Sequence, residues 1–406
     1  MSCARRARRA SPMSPPLIVL ILSLLLGVQP VTTDLYLPAL PALREGFGAS
    51  MAQAQLTLSG LLLAFGASQL VWGPLSDRFG RRPVLLCGLA AYVAASLGST
   101  LAPSMEWLIV WRVLQGAAMG AAVMCARAIV RDLYAPEAGA RAMSKGLSGL
   151  GVIACLSAPL GSLMSQWFGW RAALFMLALF GAATLAVIVL RFEETLRAPN
   201  PQALRPATLL RTWGGILRNA TFWAFALLAM CSYGGLFTFL AASSFVFIQV
   251  LGVSKPVYGA LMFSMSGAYF AGTFLCRSLL LRFGVRRTVM IGGGLSLAGG
   301  TLLGVLALAG VHAVGALMVP VYVYMLGHGI HQPCGQSGAI GPFPHAAGAA
   351  SALSGFLMML SAFGMGHWLG AHMDGTVYPL THGIWFWGAC TAAVAWGLVR
   401  RAGRAG

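Results

Sequence analysis

Charge is what this sequence lacks. Only 9% of its 406 residues are charged, 58% are hydrophobic, and mean hydropathy is +0.79. Soluble domains carry roughly 25% charged residues, so most of this surface is not built to face water. Acids are the scarcer sign, with 9 Asp and Glu against 27 Lys and Arg and a net charge of +18. Lysine is confined to Lys145 and Lys255, which leaves the basicity to arginine. The basic residues fall in short clusters between apolar stretches and form no aromatic-interleaved patch, which argues against nucleic acid as a partner. No Gly-rich phosphate loop follows a strand pattern, and neither an H-E-x-x-H nor a nucleophile motif stands out. ATP-driven pumping and membrane-embedded catalysis are therefore not indicated, and no cofactor is expected. No stretch is long and polar enough for a soluble signalling domain. The 8 cysteines are scattered with no C-x-x-C, as small hydrophobes in helices rather than disulfide or metal ligands.

What is present is a series of long apolar runs. A bilayer core of about 30 Å needs about 20 apolar helical residues. Runs of that kind lie near 17–39, 53–75, 83–102, 106–128, 145–167, 171–190, 220–248, 256–280, 287–309, 314–339, 346–370 and 382–399. They predict an all-α polytopic membrane protein with twelve transmembrane helices. Residues 1–16 read as a cytoplasmic tail rather than a cleaved signal, because no A-x-A-like site follows and further spans do; Met13 is an alternative start. The one longer polar interval, 191–219, falls at the midpoint and reads as a cytoplasmic linker. It divides a six-helix bundle at 17–190 from a second at 220–399, and leaves 400–406 as a cytoplasmic tail.

Orientation follows from the arginine and lysine bias of short loops. With the N-terminus inside, every basic residue lies on the cytoplasmic side except Arg44, Arg171 and Lys255 opposite and Arg112 within a span. Both termini are then cytoplasmic. The chain also repeats itself. LSDRFGRRPVLLCG (75–88) and LLLRFGVRRTVMIG (279–292) align at an offset of 204, and each joins the second and third spans of its half. Parallel repeats of this kind place a substrate site between the halves near the midplane.

The segment Gly73-Pro-Leu-Ser-Asp77-Arg78-Phe-Gly80-Arg81-Arg82-Pro83 suits a tight cytoplasmic turn, with glycines for close approach, an acid to cap a helix and arginines to reach carboxylates and lipid phosphates. It resembles the G-x-x-x-D-R-x-G-R-R signature of the major facilitator superfamily. Other segments resemble that family's Bcr/CflA drug-resistance branch, a set of drug:proton antiporters. In the first half these are Thr33-Asp34-Leu35-Tyr36-Leu37-Pro38-Ala39-Leu40-Pro41, Arg112-Val-Leu-Gln115-Gly116, Arg131-Asp132-Leu133-Tyr134, Phe168-Gly169-Trp170-Arg171 and Glu194-Thr195-Leu196. In the second they are Gly235-Leu-Phe237 and Pro342-Phe343-Pro344 with Gly348-Ala-Ala-Ser351-Ala352-Leu353. The resemblance implies a conformational latch of Gly73, Asp77, Arg78, Gly80, Arg81, Arg82 and Asp132, in which Asp77 and Arg81 with Asp132 stabilise the outward-facing state. The second copy has Leu281 where the first has Asp77, so one half alone carries a complete latch.

Asp34 is the acid placed well inside a predicted span, and an intramembrane charge is by default a functional candidate. Arg112 is its basic counterpart at a similar depth. Gly27, Pro30, Asp34 and Pro38 share a face of span 1; Arg112, Gln115, Gly116 and Met119 share one of span 4. The expectation is that Asp34 exchanges a proton and Arg112 is its electrostatic partner, since burial favours the neutral acid and a guanidinium the carboxylate. A purely structural buried pair is the alternative. In span 5, Pro159 and Gly161 mark a helix kink that is similar to the antiporter-signature helix, or a packing feature alone. His328 and His331, three apart on span 10, either line the cavity or are packed and hydrogen-bonded, and without a clustered carboxylate or thiolate no metal site is expected. Tyr36, Tyr233, Phe237, Gln115 and Met119 are further candidates for the cavity wall.

The function expected is proton-coupled efflux of small amphipathic molecules or drugs across the inner membrane, by a monomer among membrane lipids, with the proton as coupling ion. Proton-coupled uptake, or export, of one specific metabolite is the alternative on the same fold.

Overall fold

A computed structural model describes residues 13–134, 136–196 and 198–402. The arginine-rich start (1–12), Arg197 and the end of the second tail (403–406) lie outside the described residues. The described chain is helical throughout, with no strand. In hydrocarbon every backbone N–H and C=O needs an internal partner, and a helix supplies one within the segment.

Among the described residues, ten helices are long and apolar enough to cross a membrane. One of them, Lys255–Leu308, runs for 54 residues and breaks at Gly284, so it supplies two spans. Tyr378–Val394, continued by a π-helical turn at Ala395–Val399, supplies the last. The expected twelve spans are all present. In chain order they are α1 (Pro15–Asp34), α2 (Met51–Phe79), α3 (Arg81–Thr100), α4 (Met105–Leu133), α5 (Pro136–Trp167) and α6 (Trp170–Arg191), then α7 (Ala220–Ser244), α8 (255–283), α9 (285–308), α10 (Val314–Ile340), α11 (Ala347–His372) and α12 (Tyr378–Val394). The linker between the halves holds a short helix of its own, Pro206–Leu217.

The internal repeat extends beyond the arginine loops. Gly80 ends α2 at φ 102°, and Gly284, 204 positions later, breaks α8 from α9 at φ 71°. Residues with a side chain rarely adopt this region, so glycine sets the corner in both halves. Gly48 (φ 58°) and Gly252 (φ 68°) repeat at the same offset, each two residues before the serine that precedes α2 or α8. Ser50 accepts from the Gln53 N–H while Gln53 reaches back to the Ser50 N–H, a reciprocal cap that fixes the start of α2.

Within the first half α1 packs on α5, α2 on α4, and α3 on both α4 and α6. The halves meet along two seams, α2 against α11 and α5 against α8. Small residues allow these approaches: a Cβ on Gly161 would strike the Leu35 carbonyl, and one on Gly149 the Ser23 side chain. Pro159 lies inside α5 as expected, and Gly259 of α8 packs against it.

The first span departs from its expected course. α1 stops at Asp34, a 3₁₀ turn follows at Leu37–Ala39, and a short helix takes over at Leu40–Gly46. Pro38 has no N–H to offer the Asp34 carbonyl one turn back, so the α-helix cannot continue through it. Asp34 therefore closes a helix instead of sitting well inside one.

Candidate functional site

A cavity of about 290 Å³ lies between the two halves. Gln29, Pro30, Thr33 and Asp34 of α1 form part of one wall, and Tyr233 of α7, Tyr269 of α8 and His328 of α10 face them from the second half. The rest is largely apolar, with Phe65, Leu236, Leu240 and four methionines, Met265, Met325, Met358 and Met359. Unbranched thioether side chains adapt to varied shapes, which suits a cavity that must hold more than one cargo. A second cavity of about 610 Å³ continues toward the arginine-rich face, past Gly73, Asp77, Arg131 and the linker residue Trp213. The two share Gln69, Arg127, Ile340 and Ser351 at their junction. There Arg127 Nη1 donates to Ser351 Oγ at 2.6 Å, from one half to the other.

The opposite face is sealed. Gln55 of α2 donates to the Ala241 carbonyl of α7 at 2.8 Å, Gln249 to Glu45 at 2.6 Å, and Lys255 to Ser165 at 3.2 Å, each across the halves. Arg44 lies over the Phe245 ring, 5.9 Å from its centroid.

Asp34 is half-buried on the cavity wall and is the one acidic side chain lining it among the described residues. Thr33 Oγ1 donates to its carboxylate at 2.8 Å. The expected partner is absent. Arg112 is fully buried in α4 and donates to Gln115 Oε1 at 2.6 Å, the Thr32 carbonyl at 3.1 Å and the Thr57 carbonyl at 3.4 Å, with the Tyr36 ring centroid 4.3 Å away. No Asp34–Arg112 ion pair forms among the described residues. The geometry explains why: the guanidinium donors turn to backbone carbonyls of α1 and α2, while Asp34, two residues beyond Thr32, lies on the cavity wall.

The same network removes other candidates from the wall. Gln115 donates to Ser96 at 2.6 Å, and the Tyr36 hydroxyl lies 2.6 Å from Thr57 Oγ1. Both side chains are fully buried, as are Met119 and Phe237 in the packed core. Of the two histidines, His328 lines the cavity, with Nδ1 2.9 Å from Ser232 Oγ and its ring 5.6 Å from Tyr269. His331 points away. Its Nε2 approaches the Val289 carbonyl at 3.3 Å, against Gly292 of α9. Three residues turn a helix by about 300°, which sets the two rings about 60° apart around it, and here one ring meets the cavity and the other a neighbouring helix. Tyr233 and His328 are thus the two proposed wall residues that reach the cavity.

The loop motif forms a compact ion network. Arg81, 1% exposed, meets Asp77 at 2.7 Å and Asp132 at 2.8 Å, and Arg131 meets Asp77 at 3.2 Å. Its members come from α2, α3 and α4, so it ties helices of the first half together while the opposite face is sealed. Glu194 completes it from the linker: its carboxylate accepts the backbone N–H groups of Arg81 and Arg82, both at 2.9 Å, at the start of α3. Thr195 donates to Asp132, and the Asn200 N–H to the Asp77 carbonyl. Gly73 lines the wider cavity, Arg78 lies over the Phe79 ring, and Arg82 donates to the Val189 carbonyl. In the second copy the position of Asp77 is Leu281, which is exposed, and no ion pair forms there among the described residues.

Sequence reasoning missed Arg127. Counted by charge it joins the loop arginines. Its place two turns beyond Met119 on one stripe of α4 gave no sign that it lines the conduit, because Arg112, Gln115 and Met119 of that stripe are packed inside the bundle.

The comparisons with known proteins agree with this architecture. The chain is 31% identical over 323 residues to a chloramphenicol resistance protein of Pseudomonas aeruginosa, covering 79% of this chain and 75% of that one. It is 30% identical over 347 residues to multidrug resistance protein D of Escherichia coli (strain K12), covering 85% and 86%. Among solved structures, the xylose transporter XylE from E. coli in a partially occluded inward-open conformation superposes with a TM-score of 0.74 at 14% identity, over 94% of this chain and 96% of that one. The model of the Major Facilitator Superfamily matches residues 22–366. Two six-helix halves around a shared cavity, and a match across most of their length, make this chain a member of the Major Facilitator Superfamily, a non-enzymatic secondary transporter.

Proposed function

We propose that the chain exports small amphipathic molecules, drugs among them, across the bacterial inner membrane in exchange for protons, by alternating access. One observation carries the coupling: Asp34 is the single acidic side chain on the central cavity wall among the described residues. A carboxyl in that place can hold a proton or meet the cargo, and occupancy by one excludes the other. The relatives named for chloramphenicol and multidrug resistance support an exporter of drug-like molecules. The arginine bias supports a cytoplasmic location for the arginine-rich face and both termini. The wide cavity would then open toward the cytoplasm, where an exporter loads. Within this reading the latch in the first half is a stiffening device for α2 to α4 during the motion, and the protein works as a monomer.

Everted membrane vesicles test the exchange. After respiration acidifies the lumen, chloramphenicol should dissipate the pH gradient and accumulate inside with the wild type, and do neither with Asp34→Asn. Gradient dissipation retained in full by Asp34→Asn rules out Asp34 as the coupling site. Cargo movement out of the lumen together with protons favours uptake of a metabolite instead.

A further inference from the structure

The junction between the two cavities carries a second charged group that proton exchange does not use. Arg127 lines both cavities, and its one hydrogen bond among the described residues goes to Ser351 of the opposite half. A guanidinium has five N–H donors, and that bond accounts for one of those on Arg127. No carboxylate pairs with it among the described residues. Polar, uncharged side chains share its wall. Gln69 is 3% exposed and lines both cavities, and Ser354 is 2% exposed, lines the central cavity and has a hydroxyl with no hydrogen-bond partner. A half-buried cation without a carboxylate partner among the described residues, on the same wall as an orphaned hydroxyl, favours a site that receives an anion.

Along the helices, Asp34 ends α1 at the far side of the cavity, while Arg127 lies six residues before the end of α4. At 1.5 Å per residue the two are separated by roughly 20 Å along the membrane normal. The cavity is therefore polarised, with a carboxyl at the sealed end, a guanidinium at the mouth and methionines between.

We propose that Arg127, with Gln69, Ser351 and Ser354, forms a subsite for a singly charged oxyanion, the carboxylate of an amphipathic cargo whose apolar body lies among Met265, Met325, Met358 and Met359. This rests on the exporter reading above and adds the chemistry of the cargo. The anion takes donors from both halves, Arg127 from the first and the serines from the second, and so replaces a direct bond between the halves with one through the ligand. Arg131 on the wall of the wider cavity gives the approach the same sign, although it is paired with Asp77.

The test uses the full chain in lipid nanodiscs and two radiolabelled probes of similar size, naphthaleneacetate and the uncharged naphthaleneacetamide, with empty nanodiscs subtracted. The wild type should bind the carboxylate about ten-fold more tightly than the amide, since a hydrogen bond to a charged group is worth that much. Arg127→Gln should bring the two affinities within about two-fold, while Arg127→Lys keeps the preference and Ser354→Ala weakens it. Equal affinities in the wild type overturn the proposal, as does a preference that survives in a folded, monodisperse Arg127→Gln. Strong displacement of naphthaleneacetate by inorganic phosphate, with no advantage over the amide, assigns the site to a free anion and also overturns it. The exporter reading fails separately: loss of chloramphenicol-driven proton movement with the carboxylate preference intact leaves this subsite standing.

Discussion

Asp34 lies two residues beyond the α1 carbonyl that Arg112 holds, and the two charged groups have different partners. The Arg112 guanidinium takes the carbonyl of Thr32, while Thr33, the next residue, gives its hydroxyl to Asp34. Two adjacent threonines thus separate a packed cation from an acid on the cavity wall. If the two charges are independent, their variants should be additive. A double-mutant cycle of Asp34→Asn and Arg112→Lys should give a coupling energy below about 0.5 kcal/mol in thermal unfolding. A value of several kcal/mol would restore the ion pair.

Arg112 should act mainly through stability. Its replacement by leucine strands the Thr32 carbonyl and Gln115 Oε1 in a dry interior, takes a second donor from the Thr57 carbonyl and removes the ring contact with Tyr36. The expected loss is about 2–4 kcal/mol, seen as a lower thermal midpoint in nanodiscs. Asp34→Asn, on a cavity wall, should leave the midpoint nearly unchanged.

Glu194 should prove more than a linker residue. It covers the first N–H groups of α3 with a negative charge, where the helix dipole favours one. Glu194→Ala should cost about 1 kcal/mol, and hydrogen exchange should accelerate at Arg81, Arg82 and in the segment to Asn200 that hangs on the same network. Unchanged exchange there would mean that the linker is held by other contacts.

The two corner glycines should respond unequally. A Cβ on Gly80 meets the Glu194 carboxylate as well as a backbone at φ 102°, whereas nothing lies within 4 Å of one on Gly284. Gly284→Ala should therefore carry backbone strain alone, about 1 kcal/mol, and Gly80→Ala distinctly more. Equal midpoints for the two variants would show that Glu194 moves aside freely.

Histidine substitutions separate wall from core. His328→Ala should change cargo affinity with a modest effect on the midpoint, because its ring lines the cavity. His331→Ala should do the reverse, opening a hole against Val289 and Gly292. Matched affinity losses in both would place the two rings in one site.

The sequence by itself determined the number of spans, the division into halves and the position of the loop network. Those features rest on local patterns: apolar runs long enough to cross hydrocarbon, arginines kept to one side, and glycines where the chain must turn with positive φ. Asp34 was legible for the same reason, because an acid in an apolar run is costly wherever it points. The direction of each side chain was another matter. Arg112, Gln115, Met119, Val123 and Arg127 form one stripe of α4, yet the first three turn into the bundle and the last two onto the conduit. A helix that crosses its neighbours at an angle offers the same face to different surroundings along its length, and only the packed structure decides which residue meets protein and which meets cargo.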